Sequence, residues 1–375
     1  MKIVTIIGAR PQFIKAAVVS EAIAEHNKSE SDQQSIIQEI IIHTGQHYDA
    51  NMSAIFFEEM AIPTPQYFLD INSSSHGAMT GQMIERVEAI LLMEKPDLVL
   101  VYGDTNSTLA GALAASKLDI PIAHVEAGLR SYNRRMPEEI NRVLTDHVSS
   151  LLFCPSQTAI NNLSKEGICS SNSDVPGSVF QVGDVMYDAI SSFRNFASKP
   201  DFDLPEKIVL ATLHRAQNTD DKNRLKALFA AFADISQDTP IVLPLHPRTR
   251  EKIVEDKIEI ASSIIVVDPV SYLEMLYLLD HCQLVMTDSG GLQKEAYFCR
   301  KLCITLRDET EWLELVKIGS NVLVGADKDK IMNAWKTFSR QSFDFEINLY
   351  GYGTASEGIV NHIYEFFNEN SRLGK

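Results

Sequence analysis

DLVLVYGD, residues 97–104, places five apolar residues in a row, Leu98 to Tyr102, and closes on Gly103 and Asp104. A strand with one wet face alternates apolar and polar residues, whereas a strand covered on both faces does not. The stretch therefore reads as a central strand of a parallel sheet sandwiched by helices, with a carboxylate at its C-terminal end. A helical pattern follows at 106–118. Eleven more runs share this character: IVTIIG (3–8), EIIIH (39–43), IPIAHVE (120–126), SSLLFC (149–154), VFQVG (179–183), KIVLATLH (207–214), PIVLPLH (240–246), SIIVVD (263–268), QLVMTD (283–288), KLCITL (301–306) and NVLVG (321–325). Helical patterns lie between them, as at 137–148 and 290–299, which predicts an α/β fold of doubly wound, Rossmann-like parallel sheets.

A chain of 375 residues is too long for one ordinary core and predicts two domains. The seam is expected after VFQVGD (179–184), between the Ser/Asn-rich loop SSNSDVPGS (170–178) and the polar stretch SKPDFDLPEK (198–207). This gives domains 1–184 and 185–355, with the last helical segment, 356–375, packing back on the first.

Bulk composition narrows the function classes. The net charge of −16 argues against nucleic acid or an anionic membrane as partner, but allows an anionic small ligand held by local cations and helix N-termini. No run of about 18 apolar residues suggests a membrane span. MKIVTIIGARPQ reads as a first strand rather than a signal peptide, because its apolar core is only Ile3–Ile7 and Arg10 follows at once. Cys154, Cys169, Cys282, Cys299 and Cys303 form no CxxC pair and no zinc pattern, so reduced buried thiols in a cytoplasmic protein are expected, with no metal.

The polar residues that end the strands are the chemical signal. Asp104, Glu126, His214, His246 and the pair Asp288–Ser289 all stand at strand C-termini. In a parallel sheet those ends share one edge, where ligands of open α/β sheets bind. An Asp after a strand is also a common helix N-cap, and Asp104 before Thr105 is open to that reading. In RSYNRRMPEEINRVLTDH (130–147), Pro137 suits a first helical position, and Glu138 and Glu139 occupy the first turn. Glu139 there can simply complement the helix dipole. TDSGGLQKE (287–295) reads as strand, tight turn and helix, with Gly290 and Gly291 allowing close approach of a diphosphate to a helix N-terminus. In GARPQFIK (8–15), Arg10 and Lys15 are placed to reach phosphate or ribose, or simply solvent. In HTGQHYD (43–49), Gln46 and His47 read as polar ligand contacts or loop supports.

GARPQFIK, HTGQHYD, YGDTNST, HVEAGLRS, MPEEINR, TDSGGLQKE and LRDETEW occur in this order. Together they resemble the non-hydrolysing UDP-N-acetylglucosamine 2-epimerase family from residue 1 to about 365. The resemblance implies a GT-B type fold, two Rossmann-like domains with the active site between them. It implies elimination of UDP across C1–C2, a 2-acetamidoglucal intermediate, and re-addition with a proton delivered to the opposite face. It implies no cofactor, and family habit suggests a homodimer. The catalytic positions matched are Asp104, Glu126 and Glu138, with His214 touching phosphate. Arg10, Lys15, Ser289, Gly290, Gly291 and Glu295 match UDP-contacting positions, Glu295 suiting the ribose hydroxyls. Arg307 and His246 fall among the further substrate positions.

The departures from the common pattern point to a subgroup. LRDETEW carries Trp312 where the common RDTTER has an arginine for the nucleotide, and DPVSYLEM (268–275) alters the uracil region. Asp49 replaces the second glutamine of the regulatory site and INSSSHG (71–77) lacks its arginine, so activation by UDP-N-acetylglucosamine is not expected. HPRTR (246–250), RSYNRRMPEE and RDETEW resemble the relatives that convert UDP-2,3-diacetamido-2,3-dideoxyglucuronate to the mannuronate for surface polysaccharide. Arg134, Arg135 or Arg248 would then pair with the sugar carboxylate. The rival expectations are a UDP-N-acetylglucosamine 2-epimerase, a hydrolysing relative, a GT-B glycosyltransferase or a UDP-sugar-binding protein.

Overall fold

The structure is a computed structural model that describes residues 1–29, 35–46, 62–72, 75–168 and 178–372. It contains two compact units: residues 1–192 with 348–375, and residues 193–347.

The first unit holds seven strands: β1 (Lys2–Ile7), β2 (Gln38–His43), β3 (Tyr67–Phe68), β4 (Leu98–Tyr102), β5 (Ile122–Val125), β6 (Leu151–Cys154) and β7 (Ser178–Gln181). They are parallel in the order β3-β2-β1-β4-β5-β6-β7. Every residue of β4 is fully buried, as consecutive apolar residues covered on both faces require. The second unit repeats the plan with β8 (Ile208–Thr212), β9 (Ile241–Pro244), β10 (Ile264–Val267), β11 (Cys282–Thr287), β12 (Leu302–Thr305) and β13 (Asn321–Leu323). Their order is β10-β9-β8-β11-β12-β13, again parallel. In both units the strand order reverses beside the first strand, between β1 and β4 and between β8 and β11. Open α/β sheets bind their ligands at the carboxyl ends beside such a reversal.

The seam lies at 192/193 rather than 184/185, and the chain returns at 347/348 rather than 355/356. The reason is local. The helix Val185–Phe193 carries Asp188, whose Oδ2 accepts from the backbone N–H and the hydroxyl of Ser356, at 2.7 and 2.6 Å. That joins it to the closing helix Ala355–Arg372. The closing helix packs on the first unit: Tyr364 donates to Ser35 Oγ at 2.9 Å, and His362 stacks on Phe180 at 4.0 Å. Cys154, Cys282, Cys299 and Cys303 are buried free thiols; Cys169 lies outside the described residues. Among the described residues, no helix is long and apolar enough to cross a membrane.

His43 ends β2 with no exposure, stacked 4.5 Å from Phe68 and accepting the Gly45 N–H on Nδ1 at 3.0 Å. Burial pushes its pKa down to about 4. A native pKa below the unfolded value means stability that is complete above about pH 6.5 and lost as pH falls toward 4. Wild type should therefore lose roughly 2–3 kcal/mol more than His43→Asn between pH 7 and 4.5 in denaturant titrations. Asn keeps an acceptor for Gly45 but cannot titrate. Equal losses would show that His43 does not titrate across this window.

Candidate active site

The first unit builds its site where the ends of β1, β4 and β5 meet. Tyr102 and Val125 are in register, so Asp104 and Glu126 leave the sheet side by side. Asp104 is not the helix cap. Thr105 caps the helix Asn106–Lys117 in a reciprocal box with Thr108, which frees the Asp104 carboxylate. That carboxylate pairs with Arg142 of the helix Pro137–Val148, and its side chain is 31% exposed. Arg142 also pairs with Glu139 at 2.7 Å, so it clamps the β4 turn to this helix.

Glu126 is buried and pairs with Lys15, itself buried, from the helix Arg10–Ser29. Its φ of +73° is unusual for a residue with a Cβ, and such strain concentrates at functional positions. Gly103 sits at φ +62°, a conformation that side chains rarely adopt, and a Cβ there would stand 3.3 Å from Glu126 Oε2. Glu138 lies four residues before Arg142, on the same helix face. It is partly buried, and no ion pair or hydrogen bond engages its carboxylate among the described residues. Glu139 does more than complement the dipole. Burial opposes its charge, but the N–H groups of Ser131 and Tyr132, the Ser131 hydroxyl and Arg142 together hold its pKa below the ordinary value.

Arg10 opens the helix after β1. Gln46 braces the loop, its Oε1 accepting from the N–H and hydroxyl of Ser107 at 3.1 and 2.9 Å. His47 lies outside the described residues. Arg134 and Arg135 are exposed, without a guanidinium partner among the described residues.

The second unit gathers cations at the ends of β8, β9 and β12. Asp288 has no exposure and accepts from the N–H groups of His214 and Arg215 and from Asn218 Nδ2 at 3.0–3.2 Å. This fixes the loop after β8. His214 remains 47% exposed at its side chain. Crowding by protein lowers its pKa; Asp288 opposes this, and Arg215, His246 and Arg307 reinforce it. The ring therefore stays neutral at neutral pH and can donate one N–H to an oxyanion.

Ser289 caps the helix Gly290–Phe298, accepting from Leu292 N–H at 3.4 Å. Gly290 has no room for a Cβ, which would lie 2.5 Å from Glu311 Oε1. Arg307 and Glu311 form a buried pair at 3.0 Å. Gly291 is exposed, and Glu295 is half-buried one turn on. Trp312 is buried, with Nε1 donating to Gly290 O at 2.9 Å and Lys294 Nζ 3.9 Å above its ring. The tryptophan therefore braces the helix start rather than offering a charge. His246 is exposed and caps the helix Pro247–Glu255, and Arg248 is held by Asp220 at 2.8 and 2.9 Å.

The strand-end reading missed Arg142, Arg215, Glu311 and Gln12. Gln12 stitches β1 to β4, accepting from Gly8 and Ala9 N–H and donating to Tyr102 O, all at 2.8–3.0 Å. Arg142 and Arg215 carried a signal: one shares a helix face with Glu138 and the other follows His214 directly.

The family model for UDP-N-acetylglucosamine 2-epimerase matches residues 29–364. The chain is 54% identical over 365 residues to UDP-2,3-diacetamido-2,3-dideoxy-D-glucuronate 2-epimerase of Pseudomonas aeruginosa, covering 97% of this chain and 99% of that one. It is 51% identical over 371 residues to a UDP-N-acetylglucosamine 2-epimerase homolog of Methanococcus maripaludis, covering 96% and 98%. It superposes on the crystal structure of Methanocaldococcus jannaschii UDP-GlcNAc 2-epimerase in complex with UDP-GlcNAc and UDP with a TM-score of 0.87, at 43% identity over 97% and 99% of the chains. The architecture is of the GT-B type. With its two Rossmann-ordered sheets and its match along most of its length, the chain belongs to the UDP-N-acetylglucosamine 2-epimerase family.

Proposed function

We propose that the protein is an isomerase that inverts C2 of UDP-2,3-diacetamido-2,3-dideoxyglucuronate without hydrolysis, giving the mannuronate. The observation that carries the chemistry is the carboxylate set of the first unit: Asp104 held by Arg142, Glu126 held by Lys15, and Glu138 with no partner among the described residues. C2–H is a weak acid, so its removal must accompany departure of UDP from C1. The electron pair of C2–H forms the C1–C2 double bond as the C1–O bond electrons leave with UDP. A carboxyl group on the opposite face then returns a proton to C2 while a UDP oxygen rebuilds the C1 bond. A base on one face and an acid on the other are required, and the three carboxylates supply them. In the second unit the neutral His214, the cations Arg215 and Arg307 and the N-terminus of the helix Gly290–Phe298 suit the diphosphate.

The choice of sugar rests on two further points. The Pseudomonas relative named for the diacetamido-glucuronate is 54% identical. Arg134 and Arg135 also have guanidinium groups not engaged by the described residues, as a sugar carboxylate would need. Arg248 is the weaker candidate, since Asp220 already engages it. UDP-N-acetylglucosamine is the second reading, supported by the Methanocaldococcus likeness. Turnover of each UDP-sugar, followed by separation of the two epimers, decides between them. The expected result is a kcat/KM for the uronate at least about tenfold above that for UDP-N-acetylglucosamine, a buried ion pair's worth of recognition. Equal or greater turnover of UDP-N-acetylglucosamine would overturn the uronate assignment.

A further inference from the structure

His124 lies in β5, two residues before Glu126, with no exposure. Its Nδ1 is 2.7 Å from Asp146 Oδ1, and its Nε2 is 2.7 Å from the carbonyl oxygen of Gly103. A peptide carbonyl can only accept. Burial opposes the charge of Asp146, but its contacts with His124 and Arg130 outweigh that and hold its pKa below the ordinary value. Nε2 therefore donates to the Gly103 carbonyl, while Nδ1 rests against the Asp146 carboxylate.

The network continues beyond Asp146 toward the surface. Asp146 Oδ2 accepts from Arg130 Nη1 at 2.7 Å and from Gly128 N–H at 3.1 Å. Arg130 makes a two-point contact with Glu166, both distances 2.7 Å. At its other end, Gly103 precedes Asp104 in a left-handed conformation that can shift unless something holds its carbonyl. Gly103 N–H is already fixed to Val125 O at 2.9 Å, so His124 is the restraint on the opposite side of the same residue.

We propose that His124 is a positioning residue for the epimerase reaction: an imidazole anchored on Asp146 that pins the Gly103 carbonyl and so aims the Asp104 carboxylate. The role rests on the epimerase reading above. It acts through Asp104, on the chemical step rather than on UDP binding, because a small misplacement of a reacting group costs rate far more than affinity.

Two substitutions separate the two ends of the ring. His124→Asn keeps a donor near the Nδ1 position and loses the reach to Gly103. His124→Gln extends a donor to the Nε2 position and keeps it. His124→Asn should lower kcat about 10–100-fold with KM within about threefold of wild type, and His124→Gln should recover at least about tenfold of that loss. Thermal unfolding of both variants is measured alongside. Wild-type kcat in His124→Asn, or equal losses in both variants, would overturn the proposal. In wild-type protein carrying 15N-labelled histidine, NMR should show a protonated, hydrogen-bonded Nε2 for His124, assigned by its disappearance in His124→Asn. A bare Nε2 would equally overturn it. The NMR measurement needs no turnover. A wild type inert toward both UDP-sugars would thus count against the epimerase reading separately from the positioning role.

Discussion

Asp104→Asn, Glu126→Gln and Glu138→Gln should each lower kcat by at least about 10²-fold, the span expected when a group that moves a proton is lost. Each change keeps the shape of the side chain and removes its basicity. Asn at 104 can still accept from Arg142, and Gln at 126 can still accept from Lys15, so the two held turns remain in place. Glu138→Gln is the cleanest of the three, because no neighbour among the described residues loses a salt bridge. The loss should fall on kcat, with the affinity for UDP within about threefold of wild type, since these groups act in the transition state. Steady-state kinetics and UDP titration check this. Near-normal turnover in any one variant would remove that residue from the chemistry.

Asp146→Ala should destabilise the first unit by about 3–5 kcal/mol, because it leaves the buried Arg130 without its inner partner and strips His124 and Gly128 of their acceptor. The Asp146 side chain has no exposure and serves His124, Arg130 and Gly128 at once. For a unit of this size the loss corresponds to a fall in Tm of roughly 10 °C. Glu166 pairs with the same arginine but is 27% exposed at its side chain, so Glu166→Gln should cost only about 1 kcal/mol. Thermal unfolding of both variants tests the contrast. Equal costs would show that the inner carboxylate is not the keystone of the network.

The strands of both sheets were legible because double burial demands consecutive apolar residues, and all twelve expected runs are strands. β3 was not, since Tyr67–Phe68 is a two-residue strand at the sheet edge with no run to read. The seam was displaced because Asp188 binds Ser356 across 168 residues of chain, a pairing that no local composition shift reveals. The strand-end rule put Asp104, Glu126, His214 and Asp288 just past strand C-termini, where the structure has them, since a parallel sheet brings its C-termini to one edge. It could not choose between cap and free carboxylate at 104; Thr105 took the cap and decided it. It also could not see the groups that hold the carboxylates. Arg142, Lys15 and His124 are ordinary polar residues in the sequence, and only folding tells which acid each one meets. Trp312 read as a lost nucleotide contact, whereas its indole supports the turn at Gly290.

In the proposed reaction C2 is inverted through loss and return of its hydrogen while UDP ends up back on the sugar. Turnover of the UDP-sugar in heavy water, followed by NMR and mass analysis of the product, tests it most directly. The expected product is an epimeric UDP-sugar with one deuterium at C2, with no accumulation of free sugar. Product that keeps its C2 hydrogen, or UDP and free sugar released in equal amounts, would contradict it.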